Sequence, residues 1–242
     1  MLDRRVVRLM PRQLRRHLPP GYPIHLLQRG HNRAPCFGSE ADNVLYLGLL
    51  QEYSRRHACG VHAYVLMTNH IHLLVSPPPD IYCLSRMMRD INQVFGQHVN
   101  RSRNRCGSVW QGRPKMCLVD AADYFLTCQR YIELNPVRAG MVEKPWLYPW
   151  SSYSTNAAGK ISGIVRPHPL YLGLGRTDND RQSAYRGLFD CPIDAETLGR
   201  IRSSVNRGTP LSNNEIDDGQ KSSCNEEVVR TRSGPDPALT LL

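Results

Sequence analysis

The stretch VHAYVLMTNHIHLLVSPPP, residues 61–79, decides the fold. Val61–Met67 and His70–Val75 are rich in β-forming residues, and Thr68-Asn69 between them has the length of a two-residue hairpin turn. Three consecutive prolines, 77–79, end the second strand, because proline cannot donate to a ladder. Alternate side chains of a strand share a face. His70 and His72 therefore project together, while Ile71 enters the opposite, apolar layer.

Working outward, Tyr22–Arg29 (YPIHLLQR) has strand character and stops at Gly30. Ser39 can cap a helix running to about His57, with Val44, Leu45, Leu47, Leu49, Leu50 and Tyr53 on its inner side. Leu84, Met87, Met88, Ile91, Phe95 and Val99 follow helical spacing, which predicts an amphipathic helix over 81–101. Residues 106–119 (CGSVWQGRPKMCLV) read as a loop and a final strand. Asp120 caps a helix from Ala121 to Asn135, where Pro136 ends or kinks it. The expected fold is α+β: a ferredoxin-like (RRM-like) antiparallel sheet, β-α-β-β-α-β, plus a C-terminal helix. That core spans 21–156, behind a basic arm at 1–20. A small accessory region at 157–207 and a polar tail at 208–242, expected to be disordered, follow it.

The chain has 242 residues and a net charge of +10. Residues 1–160 hold 21 Lys+Arg against 10 Asp+Glu, and residues 161–242 hold 10 against 11. The whole basic excess thus lies in the first two-thirds, as expected if that part meets a polyanion. Only four cations are lysines, and the arginine fork suits bidentate phosphate contact. A GC-rich genome would also favour Arg over Lys, but it would not place the excess in one part. No apolar run is long enough for a membrane-spanning helix, and the N-terminus lacks the apolar core of a secretory signal, so a cytoplasmic, nucleoid-associated protein is expected. The eight cysteines include no C-x-x-C pair, which argues against a cysteine zinc site. Cys59, Cys83, Cys117 and Cys128 lie among apolar neighbours and read as core residues.

Three features carry chemistry. His70 and His72 could hold one divalent ion, although an isolated H-x-H is more often two polar-face histidines. Tyr131 and Asn135 are four residues apart on the last core helix, hence on one face. The phenol is a candidate nucleophile if a metal polarises the phosphate it attacks, and the Asn oxygen a hard third ligand. Alone, Tyr131 would read as a half-buried packing aromatic. Between these features lies a basic series: Arg86, Arg89, Arg101, Arg103, Arg105, Arg113 and Lys115, with Trp110 interleaved. A ring beside cations is the combination that binds unpaired bases, whereas a plain charge run is a solvated face.

H-I-H at 70–72, W-Q-G-R at 110–113 and Y-I-E-L-N-P-V-R-A-G at 131–140 resemble the REP-associated tyrosine transposases, of the HUH single-strand nuclease superfamily. R-G-H-N-R at 29–33, which adds Arg29 and Arg33 to the basic set, is similar to that family's R-G-N-N-R and departs from it at His31. P-H-P-L-Y-L (167–172) and R-Q-S-A-Y-R-G-L-F (181–189) are similar to the family's C-terminal extension. The resemblance implies a metal-dependent endonuclease and strand transferase acting on single-stranded DNA. It makes Tyr131 the nucleophile, and His70, His72 and Asn135 the ligands of Mg²⁺ or Mn²⁺. It implies a hairpin of a repetitive extragenic palindrome as the DNA partner, and a monomer or homodimer. Two other readings are a domesticated, non-catalytic hairpin-binding protein and a hydrolase in which water attacks.

Overall fold

A computed structural model describes residues 22–80 and 82–212. The chain runs β1 (Ile24–Arg29), α1 (Glu40–Arg56), β2 (Gly60–Met67), β3 (His70–Ser76), α2 (Tyr82–Ser102) and β4 (Lys115–Leu118). It continues through α3 (Ala121–Glu133), α4 (Asn135–Arg138), α5 (Tyr153–Ala158), α6 (Pro169–Leu172), α7 (Asp178–Gly187) and α8 (Ala195–Arg207). The strands form one antiparallel sheet in the order β2-β3-β1-β4, which places β3 between β1 and β2.

Local signals set most boundaries. The Ser39 hydroxyl accepts from Asp42 N at the start of α1. Thr68-Asn69 makes the turn between β2 and β3, and the chain after β1 folds onto that turn: Gly30 N donates to Asn69 O, and Cys36 N to Thr68 O. A Cβ at Gly30 would stand 2.4 Å from Ala34 O and 2.6 Å from Cys36 Sγ, so only glycine permits this close approach.

The two faces of the sheet bury different layers. Ile24 and Leu26 of β1 with Ile71, Leu73 and Val75 of β3 pack against Tyr46, Leu50, Met87, Ile91 and Phe95 of α1 and α2. On the other face Ala63, Val65 and Leu74 meet Phe125, Cys128 and Ile132 of α3 and Ile201 of α8, and Leu27 and Cys117 lie under Val205. Ile71 thus enters the layer opposite to His70 and His72.

Several expectations are corrected. Val44, expected on the inner side of α1, is 58% exposed, whereas the final strand expected within 106–119 is present as Lys115–Leu118. The helix expected to reach Asn135 ends at Glu133, and Asn135 starts the short α4. The boundary at 156/157 falls inside α5, and residues 157–207 are not an appendage, because α8 packs on β1 and β4 as part of the second layer. Residues 208–212, expected to belong to a disordered tail, return to the sheet: Leu211 N donates to Leu118 O, and Asp120 N to Leu211 O. The arm at 1–20 and the tail from 213 lie outside the described residues. Among the described residues no helix is long and apolar enough to cross a membrane.

Candidate active site

Side-chain alternation on β3 puts His70 and His72 on the face covered by α3. β1 adds a third imidazole that sequence reading missed. His25 lies on that same face, two ladder positions from Leu27, the partner of His72. Its Nε2 is 2.8 Å from His72 Nδ1, and the two rings stack with centroids 5.0 Å apart. Tyr131 comes down from α3 onto this pair, its ring 5.7 Å from His25 and 5.8 Å from His72, edge to face with both. His70 stands 5.2 Å from His72 by ring centroid. The signal for His25 was available: I-H-L on a strand beside H-I-H.

Both histidines of β3 are oriented by their Nδ1 atoms. His70 Nδ1 is 2.7 Å from Asn69 Oδ1, and His72 Nδ1 is held by His25. That is the arrangement of a metal-ligating histidine, in which a second partner fixes the tautomer and frees Nε2. For His72 to present its Nε2 lone pair, its proton must sit on Nδ1 and be donated to His25 Nε2. His25 then carries its own proton on Nδ1, a buried atom with no partner within the protein. Burial pushes the His25 and His70 imidazoles down to about 3 and about 4, with the charge of Arg29 adding to the effect at His70. Burial also carries His72 well below its usual value, helped by His25, His70, Arg138 and Arg29. All three are neutral at pH 7, the form that ligates a cation.

Tyr131 is buried at 5% exposure, and burial raises its phenol above the usual value. Two cations act in the other direction. Arg138 of α4 lies over the ring at 4.2 Å, and Arg202 of α8 adds its charge and a hydrogen bond to the phenol. Neither arginine was picked out in the sequence. Arg202 belongs to the region read there as accessory. Asn135 serves the end of α3, its Nδ2 donating to Tyr131 O and Ile132 O, so Oδ1 is the atom it could offer a cation. Two residues from Tyr131, the carboxyl of Glu133 is fully buried. It accepts from Ser152 Oγ (2.5 Å), Asn156 Nδ2 (2.8 Å) and Tyr185 Oη (2.8 Å). Tyr131, Glu133, Asn135 and Arg138 of the stretch 131–140 thus each have a distinct place in or beside the site.

The basic residues divide. Arg29, Arg113 and Lys115 line one cleft of about 210 Å³ with Leu27, Gln111 and Asn206. This cleft adjoins the histidines, since Arg29 pairs with His70 and Leu27 with His72 in the ladder. Arg33 sits exposed in the turn beside the hairpin, its carbonyl accepting from Asn69 Nδ2. Arg86, Arg89, Arg101, Arg103 and Arg105 lie on α2 or the loop after it, on the layer behind the sheet. Arg86 pairs with Asp80 and Arg89 with Asp90. Arg101 lines a shallow surface hollow with Leu45 and His98. Arg105 donates to Ser108 O. Arg103 is occupied structurally, bonding Pro35 O, Cys36 O and Asp42 Oδ2. Trp110 is the clear correction: at 4% exposure its ring packs with Phe37, Tyr46 and Phe95, and so offers no platform for stacking a base. Its apolar area is more favourably buried in that aromatic layer than left in water.

Residues 21–135 match the family model described as "Transposase IS200 like". Among solved structures, the chain is similar to a REP-associated tyrosine transposase bound to a REP hairpin, at 18% identity over 64% of this chain and 90% of that one, with a TM-score of 0.51. A looser likeness, at a TM-score of 0.33, is to a candidate transposase from Deinococcus radiodurans R1, at 19% identity over 49% of this chain and 93% of that one. No curated protein matches the chain.

Proposed function

We propose that residues 21–135, which match the family model of IS200-like transposases, cut and rejoin single-stranded DNA through a covalent link to Tyr131. The observation that carries this reading is the convergence, on one face of the sheet, of a buried phenol on the hydrogen-bonded His25–His72 pair, with His70 next to His72, beside a cleft lined by Arg29, Arg113 and Lys115.

The Tyr131 oxygen attacks the scissile phosphorus, and the bond from phosphorus to the 3′ oxygen breaks. The phenol proton passes to water and the 3′ oxygen takes one up, leaving a 5′-phosphotyrosyl link and a free 3′-OH. The bond energy is kept in the link, so a second 3′-OH can reverse the step and join different ends. Arg202 and Arg138 favour the phenolate against the burial that disfavours it. Arg29, Arg113 and Lys115 hold the strand by its phosphates. His70 Nε2, His72 Nε2 and the Asn135 carboxamide oxygen are the residues that would hold Mg²⁺ or Mn²⁺, hard and borderline donors that suit such an ion. When bound, such an ion supplies Lewis-acid polarisation of the scissile phosphate. The substrate is DNA whose hairpin, a repetitive extragenic palindrome, leaves unpaired flanks.

The test is a labelled hairpin oligonucleotide with single-stranded flanks, incubated with the protein and Mn²⁺. A denaturation-resistant adduct, mapped to Tyr131 by mass spectrometry and lost in Tyr131→Phe, is expected. Tight hairpin binding with no adduct would leave a binding protein instead. Cleavage without an adduct would make water the nucleophile.

A further inference from the structure

The family match ends at residue 135, but α8 (Ala195–Arg207) closes on the candidate site from well beyond it. Its apolar stripe is the reason. Ile201 and Leu198 join the cluster of Tyr131 and Ile132 of α3, and Val205 covers Leu27 and Cys117 of the sheet. Seating that stripe fixes the two flanks of the helix, because successive residues turn by about 100°. On one flank Arg200 lies over the Tyr124 ring at 5.3 Å and donates to Ser212 O. On the other flank Arg202 and Asn206 stand one turn apart, and both are exposed. Asn206 Oδ1 accepts from Lys115 Nζ at 3.1 Å, and Asn206 lines the cleft of Arg29, Arg113 and Lys115. Its Nδ2 donates to Arg202 O at 2.8 Å, which fixes the amide. Arg202 is the residue on this flank that acts on the Tyr131 phenol, by charge and hydrogen bond. The flank thus runs from the phenol to the phosphate cleft.

A neutral phenol has no need of two cations. Arg138 already lies over the Tyr131 ring at 4.2 Å and is tied down, its Nη2 donating to Tyr131 O. The charged and titratable groups that act on Arg138 are Tyr131 and Arg202, with no carboxylate among them. Two guanidiniums side by side repel one another, and an anion entering beside the phenol relieves that repulsion. Of the two, Arg202 is the one exposed to an incoming strand, and its planar fork matches a phosphate. One turn of α8, about 6 Å along the axis, separates it from the residue that steadies Lys115. A strand lying along this flank therefore meets a cation at the nucleophile and another one step further on.

We propose that α8 forms a wall of the DNA path and that Arg202 is a further catalytic residue, which leaves the phenol to hold the non-bridging oxygens of the scissile phosphate while Lys115, steadied by Asn206, takes the neighbouring phosphate. Arg202 stays protonated throughout, and the bonds that form and break are those of the attack by Tyr131. The inference deepens the reading of the protein as a single-strand transferase and rests on it.

The experiment separates service to the phenol from a grip on the phosphate. Tyr131→Phe removes the phenol oxygen, and with it whatever Arg202 does for the nucleophile alone. In that background, binding of a hairpin with single-stranded flanks is measured at several salt concentrations with Arg202 intact, Arg202→Gln or Arg202→Lys. Arg202→Gln should weaken binding about tenfold, the size of a lost charge-assisted bond. It should also lower the log–log salt slope by about 0.7, the share of one phosphate on a single strand. Arg202→Lys keeps the charge and should keep the slope, which shows that a lost slope is not misfolding. A hairpin without flanks should bind all three alike. With Tyr131 present, Arg202→Gln should slow adduct formation about 100-fold, and Arg202→Lys should recover only part of it. Equal affinity and slope with and without Arg202 in the Tyr131→Phe background overturn the proposal, and so does an equal loss on the hairpin without flanks, which would put Arg202 on the stem. If wild type forms the tyrosyl adduct and Arg202→Gln forms it as fast, this inference alone falls. If wild type forms no adduct, the transferase reading falls with it.

Discussion

Tyr131 and Glu133 are two residues apart on α3, on nearly opposite sides of the helix, and both are buried. Around Glu133 the polar groups are matched: three donors from α5, α7 and the turn before α5 close on the two carboxylate oxygens. Around Tyr131 they are not. His25 Nδ1 and Arg138 Nη1 are buried without a partner, and three imidazoles crowd together with no carboxylate among them. The first cluster is built to hold the C-terminal helices onto α3. The second keeps hydrogen-bonding capacity in reserve at a cost to stability, which is how a site waiting for a ligand differs from a structural one.

Breaking the Tyr131 cluster should abolish chemistry and spare the fold. His70→Ala, or excess chelator on wild type, should reduce adduct formation to background, with Mn²⁺ restoring the chelated wild type only. Thermal melting of His70→Ala should stay within a few degrees of wild type. Full adduct formation in chelator would remove the metal from the mechanism.

Breaking the Glu133 cluster should do the reverse. Glu133→Ala strands Ser152, Asn156 and Tyr185 as buried donors, and should cost about 4 kcal/mol, or roughly 10 °C in melting temperature. An unchanged melting temperature would show that α5 and α7 do not depend on this carboxyl.

The same carboxyl sharpens the comparison through pH. Burial pushes Glu133 up to about 7, against the pull of its three hydrogen bonds, from an ordinary value of 4.5. Between about 4.5 and 7 the folded protein keeps a proton that the unfolded chain has lost. Its stability contribution is therefore fully present below pH 4.5 and is lost as pH rises through 7. Glu133→Gln removes this dependence. The stability difference, Gln variant minus wild type, should grow with pH across that window by on the order of 3 kcal/mol, read by urea unfolding at several pH values. A flat difference would refute it.

A smaller effect is expected at His25. Replacing it by leucine frees His72 Nδ1 and should weaken Mn²⁺ binding to the DNA-free protein by about 10–100-fold, as loss of an outer-shell partner does. Calorimetric titration reads this without any activity. Equal affinity would leave His25 as a packing residue.

Much of the architecture was legible because it rests on local rules. The hairpin 61–76, the Ser39 cap and the 3.6-residue stripe on α2 each depend on residues near in sequence, and the structure has them within one or two positions. The face shared by His70 and His72 followed from the period of a strand. What failed depended on distant partners. Trp110, in a polar Arg-rich loop, looked exposed until Phe37 of the loop after β1, Tyr46 of α1 and Phe95 of α2 closed over it. Arg103 looked like a phosphate ligand until the loop after β1 supplied two carbonyls and Asp42 a carboxylate.

By itself, then, the sequence determined the α+β order, the antiparallel hairpin and the pairing of His70 with His72, since short-range periodicity and turn chemistry suffice for these. Only the tertiary structure decided that His25 joins them and that Arg202 reaches back from α8 to Tyr131. Those contacts join residues 47 and 71 positions apart in the chain, His25 to His72 and Tyr131 to Arg202, and no local pattern encodes which side chains the packing of a sheet and its helices will bring together.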